Sequence, residues 1–209
     1  MVGSCSEKDN FKITNLEGKK VLAGRKGGMP LMIFNYGLKE NKVNLDKVII
    51  DSSIEFAALT GAYISGKGDY VNLFEPSASM VEKQKIGCIL GSVGEISGEV
   101  PYTSFYARKS YINNNKNIIK KFNKALNKAL EYTMNNNEQT LAKDIKKQFI
   151  DTNILDLEII IKRYKDADSW WKNTYISKAS FNRLQNIMKY NNVLEKETEY
   201  NILVNNEFN

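Results

Sequence analysis

The sequence predicts an α/β layer structure over its first hundred residues and an all-helical half after it. Three observations lead there. Residues 19–93 alternate short runs rich in Val, Ile and Leu with helix-length amphipathic segments, the pattern of βαβ units on a parallel-type sheet. After residue 110 the strand signals stop, and apolar residues recur at helical spacing. The chain has 209 residues, 42% of them hydrophobic and 26% charged, with three prolines. That is long enough to bury a core and has no apolar run able to span a bilayer, so the expectation is a soluble globular protein.

The elements follow in order. Strands are expected at residues 20–24, 47–50, 70–73 and 88–92, each short, branched-aliphatic and bounded by Gly, Asp or Ser. Helices are expected between them at 30–40, with Leu31, Phe34 and Leu38 on one face, at 54–65 and at 77–84. Right-handed crossovers of this length close a small α/β layer. The segment from Gly94 to Gly98 reads as mobile or sharply turned, and the apolar run at 102–107 as one more strand. The best amphipathic stripe lies at 115–134, where Ile118, Phe122, Leu126 and Leu130 recur every four residues. Further helices are expected at 138–149, 155–164 and 178–190, the last capped by Ser177, with asparagine runs at 113–115 and 135–137 marking turns. No internal repeat is found.

Charge and residue usage narrow the function. Residues 1–106 hold 12 Lys+Arg against 12 Asp+Glu, and the rest of the chain 18 against 12, so the net charge of +6 belongs to the helical half. Lysines spread along amphipathic helices read as a solvated side, not as the clustered patch that nucleic acid needs. There is no histidine, hence neither the commonest general base nor the commonest metal ligand. Cys5 and Cys88 lie far apart without a CxxC partner or metal-ligand spacing, and Cys88, in an apolar run, reads as core. Val2-Gly3-Ser4-Cys5 loosely resembles the end of a lipoprotein signal, but only Met1 precedes it, so either the chain is clipped from a longer precursor or the likeness is accidental. No cofactor and no metal is expected.

Three strand-to-helix junctions could carry chemistry: Gly24-Arg25-Lys26-Gly27-Gly28-Met29-Pro30, Asp51-Ser52-Ser53, and Phe74-Glu75-Pro76-Ser77. In an open parallel sheet the carboxyl ends of the strands share one rim, where ligands bind. Glycines let backbone approach a ligand, and a helix opened by Pro30 offers free N–H groups to an acceptor or anion. Ser52 or Ser53, and Ser77, either cap the next helices or turn a hydroxyl toward a ligand. Glu99-Val100-Pro101-Tyr102 adds a second carboxylate and aromatic. Catalysis is not expected: no Ser or Cys has a His, no carboxylates cluster at metal-ligand spacing, and the Gly-rich run lacks the ending of a phosphate loop.

The residues resemble the solute-binding proteins of the nitrate, sulfonate, taurine and thiamine-precursor group, the NMT1/THI5-like and TauA/SsuA-like family. The resemblance rests on GRKGGMP (24–30), DSSIEFAA (51–58), GDYVNLFEPSAS (68–79), SGEVPYTSFYARKSYI (97–112) and the closing FNRLQNIM and LVNNEF. It implies a periplasmic-binding-protein-like type II fold of two hinged lobes, a ligand in the cleft between them, docking on the permease of an ABC importer, and an extracytoplasmic location. It further implies that residues 12–105 form a complete lobe two, and that 1–11 and 106–209 supply hinge strands and C-terminal helices of lobe one. The chain then starts at the crossing, without the first strands and helices of lobe one. The stripes of Ile118, Phe122 and Leu126, and of Ile159, Tyr164 and Trp170, would need another partner, for which self-association is expected.

Carried over by motif, the ligand-binding residues are Arg25, Gly27, Gly28, Met29, Ser52, Ser53, Phe74, Glu75, Glu99 and Tyr102. Arg25, Lys26 and the helix start suit a sulfonate or carboxylate, whereas Glu75 and Glu99 suit an amine or pyrimidine-like ligand. The competing expectation is a relic that binds nothing, or an interaction module acting through its basic helices.

Overall fold

In the computed structural model, which describes residues 1–209, the branched-aliphatic runs form five short strands of one sheet. They are β1 (Val2–Gly3), β2 (Lys20–Leu22), β3 (Ile49–Asp51), β4 (Tyr70–Val71) and β5 (Cys88–Ile89), in the order β3-β2-β4-β1-β5. Strand β2 runs parallel to β3 and β4, while β1 pairs antiparallel with β4 and β5. The four strands expected from the sequence are therefore present, each shorter by one or more residues. The fold class is α/β with a mostly parallel sheet.

Side chains alternate across the sheet and are buried on both faces, as parallel-type sheets require. Val21, Ala23 and Tyr70 point to one face and pack with Leu31, Phe34 and Leu38 of α1 (Met29–Glu40). Val2, Leu22 and Val71 point to the other, against Leu59 and Ala62 of α2 (Leu59–Ile64) and Ala78 and Val81 of α3 (Ser77–Lys83). Helix α1 matches the expected amphipathic segment to within one residue. The segment expected to be a helix at 54–65 is instead a 3-10 turn at Phe56–Ala58 followed by the single short helix α2.

Three further expectations are corrected. Residues 94–98 are not a bare loop: α4 (Val93–Ser97) is capped by the Ser92 hydroxyl and ended by Gly98 at φ 76°. It packs on α1, where Gly37 leaves room for Ile96. The apolar run at 102–107 forms no strand, and Tyr106 is 99% exposed. Cys88 is not simply a core residue: it forms a disulfide with Cys5 across 83 positions, tying the turn after β1 to β5.

The chain divides into two compact units, Met1–Gly98 with Ile187–Leu194, and Glu99–Asn186 with Glu195–Asn209. The second is helical, with α5 (Lys109–Asn114), α6 (Lys116–Asn135), α7 (Glu138–Ile145) and α8 (Ile154–Asp166), most of α9 (Lys178–Tyr190), and α10 (Tyr200–Leu203). Its turns are set by caps: Asn137 and Asn153 accept from the amides of Thr140 and Asp156, and Ser177 from Ser180. Leu141 and Ala142 pack against Leu157 and Ile161, with Trp170 against the same cluster. Helix α6 buries none of its residues; Ile118 is 55% and Phe122 41% exposed, the latter edge-on to Phe105 at 4.8 Å. No helix is long and apolar enough to cross a membrane.

Candidate ligand cavity at the strand ends

Strand β2 ends by donating the Ala23 amide to the Asp51 carbonyl, and the chain then turns at Gly24, whose φ of 100° favours glycine. The turn closes with the Gly28 amide donating to the Arg25 carbonyl at 3.2 Å, and α1 begins at Met29 with Pro30 in its first turn. A Cβ on Gly28 would sit 3.2 Å from that carbonyl, a tight contact that the turn would have to relax to accept. No side chain caps α1. A twelve-residue helix thus presents its first turn, with its partial positive charge, at the carboxyl ends of the parallel strands.

A cavity of about 330 Å³ lies there, lined by Gly24, Arg25, Gly28, Met29, Pro30, Glu55, Phe56 and Phe74. The rings of Phe56 and Phe74 stand 5.1 Å apart at 45°, a tilted pair that forms an apolar wall. Arg25 and Glu55 supply charges of opposite sign. The cavity combines an apolar wall, a helix start and a few polar groups, as small-molecule sites do.

Of the ten residues carried over by motif, the cavity gathers Arg25, Gly28, Met29 and Phe74. Gly27, at φ 76°, shapes the turn without lining the cavity. Ser52 is outside the lining, and Ser53 is engaged elsewhere: its amide and hydroxyl donate to the Asp51 carboxylate at 3.0 and 2.6 Å. Neither serine caps α2, whose start is six residues on. Ser77 caps nothing either; the Glu75 carboxylate does, accepting from the Ser79 amide at 2.9 Å. Glu99 and Tyr102 belong to the second unit. Burial raises the Tyr102 phenol above its ordinary range. Glu55 and Phe56 escape the motif pattern, because a helix expected at 54–65 places both in its interior, whereas in the structure they lie in and before the 3-10 turn that precedes α2.

Asp51 is the most perturbed carboxylate near this rim. The Ser53 hydroxyl, the Lys20 ammonium at 3.0 Å and the Ser53 amide together hold its pKa down to about 2. All three favour the ionised form. No group of carboxylates, thiols or imidazoles gathers at metal-binding distance.

The profile of the family described as "NMT1/THI5 like" matches residues 3–140. The chain belongs to this family. Among similar proteins is YtlA of Bacillus subtilis (strain 168), named as a candidate binding protein, 41% identical over 200 residues covering 95% of this chain and 60% of that protein. Two solved structures share the fold. One, from Bordetella bronchiseptica RB50, has a TM-score of 0.62 at 18% identity, covering 90% of this chain and 61% of the other. The second, the alkanesulfonate-binding protein SsuA from Xanthomonas axonopodis pv. citri bound to MOPS, has a TM-score of 0.63 at 14% identity, with 93% and 65% covered. At such identities the likeness is one of fold. The chain spans about three-fifths of the length of these relatives. The resemblance read from the junction motifs is thus confirmed at the level of family and fold.

Proposed function

We propose that this chain is the substrate-binding component of an ABC importer, taking a small polar organic ligand in the cavity at the start of α1. The observation that carries this reading is the joint lining of one cavity by Arg25, Glu55, the Phe56–Phe74 pair and the uncapped first turn of a long helix. The opposed charges suit a ligand carrying both an acceptor and a donor; the aromatic pair suits a flat or apolar body. Family membership supports transport over catalysis, and a permease is the partner it implies. The exposed apolar side chains of α6 support a second copy of the chain as a further partner.

The disulfide supports an extracytoplasmic location, since such bonds persist in oxidising compartments. The full residue set proposed for ligand contact remains Arg25, Gly27, Gly28, Met29, Ser52, Ser53, Phe74, Glu75, Glu99 and Tyr102, now with Glu55 and Phe56. Within it, the cavity-lining members are the first to test.

A thermal-shift screen of sulfonates, carboxylates, pyrimidines and amines reads binding directly, because a ligand held only by the folded state raises the melting temperature. At least one class is expected to raise it, and Arg25→Ala to weaken that ligand by roughly 10-fold or more, the loss of one charge-assisted hydrogen bond. A melting temperature unmoved by every compound would favour the reading of a chain that binds nothing.

A further inference from the structure

Asn72 follows β4 directly, and its amide nitrogen donates to the Leu22 carbonyl at 3.0 Å. Pairing of Leu22 with Val71 and of Val2 with Val71 sets Asn72 beside Ala23 and opposite Met1. Both of those belong to the cluster under α1, and alternation from Tyr70 puts Asn72 on that same face. The residue is 9% exposed, and neither its side-chain oxygen nor its side-chain nitrogen has a protein partner. An amide so placed is unusual. Buried polar groups in folded proteins are nearly always hydrogen-bonded, and each one left unpaired is destabilising.

Its position says what the amide is for. Asn72 stands one residue before the cavity-lining Gly24 along the β2 register and two before the cavity-lining Phe74 along the chain. It is thus at the carboxyl edge of the sheet, on the face that α1 covers and just behind the residues that line the cavity, where a core position would ordinarily hold a Val or Leu.

We propose that Asn72 is a ligand-recognition residue, whose carboxamide is kept buried and unpaired beside the cavity to pair with a ligand bearing a hydrogen-bond donor and acceptor side by side. This rests on the binding role proposed above and sharpens its ligand class. A carboxamide offers one acceptor oxygen and a donor NH2, so an acceptor-only head group such as a sulfonate satisfies half of it and leaves the oxygen unpaired. A carboxamide, urea or similarly paired group satisfies both halves.

The test compares nicotinamide with benzenesulfonate, two flat rings of similar size that differ in the polar head, on the wild-type chain and on Asn72→Leu, whose side chain is close in shape. With no unpaired amide to bury, Asn72→Leu is expected to melt about 2–4 °C higher than wild type when free. Nicotinamide is expected to stabilise wild type more than benzenesulfonate does, and to lose that advantage on Asn72→Leu. Should Asn72→Leu fail to fold through overpacking, Asn72→Ala carries the same test, with nicotinamide weakened about 10-fold or more. A nicotinamide shift that survives both substitutions, or a wild type that nicotinamide leaves unmoved, overturns the assignment. The wider binding role falls only if no compound of the broad screen moves the wild type either.

Discussion

At the scale of single residues, the rim is organised by short-range hydrogen bonds that redirect groups otherwise free to face a ligand. Asp51 is the centre of one such set, bound by both Ser53 groups and by Lys20. Its pKa lies near 2 in the folded chain, below the ordinary value of 3.8, so ionised Asp51 stabilises the fold. That contribution is fully present above about pH 4 and is lost as the pH falls through 2. Asp51→Asn should therefore be less stable than wild type near neutral pH, and the gap in urea midpoints should close between about pH 4 and pH 2; a gap independent of pH would contradict the carboxylate's role. Serine after aspartate at a strand end is legible as a turn, but not which partner the hydroxyl takes. Ser53 turned back to Asp51, and Glu75 did the capping assigned to Ser77, because both choices depend on where the next helix begins. Glu55 and Phe56 were missed for the same reason.

At the scale of elements, the strands and long helices were legible because burial on both sheet faces demands runs of Val, Ile and Leu, and one-sided burial demands a stripe. What was not legible was short. Helix α4 was hidden by Gly94 and Gly98, although Ser92 is a good cap, and its reason for existing is tertiary: it packs on α1 through Gly37. A methyl on Gly37 would come within 2.8 and 2.9 Å of the Ile96 side chain. Gly→Ala inside a helix is ordinarily favourable, yet here the contact should prevail. Gly37→Ala is expected to destabilise by about 1–3 kcal/mol, the range for overpacking a filled site. Adding Ile96→Ala should recover part of the loss; denaturant midpoints of the three variants would show it. The apolar run at 102–107 misled for the converse reason. Branched and aromatic residues favour a strand only when a neighbouring strand is there to pair, and that segment has none.

At the scale of the molecule, the family and its fold were legible from the succession of junction motifs, while the covalent link was not. Two cysteines 83 positions apart carry no spacing signal, and only the sheet brings their backbones to 4.7 Å. Closing a loop of that length is worth about 4–5 kcal/mol by chain entropy alone, with measured cases commonly at 2–4. Cys88→Ser, or reduction by dithiothreitol, should lower the denaturant midpoint accordingly, and the untreated chain should resist thiol alkylation until reduced. Equal midpoints with and without reductant would show that the bond does not constrain the chain. The place of β1 in the sheet bears on how the protein is made. This early strand is interior, flanked by strands that arrive about 70 and 87 residues later. On a ribosome or at a translocon it must therefore wait, open on both edges until β4 has emerged and on one edge until β5 has. The first unit then completes its sheet late and almost at once, and Cys5 stays a free thiol, open to mispairing or to a chaperone, for nearly all of that interval.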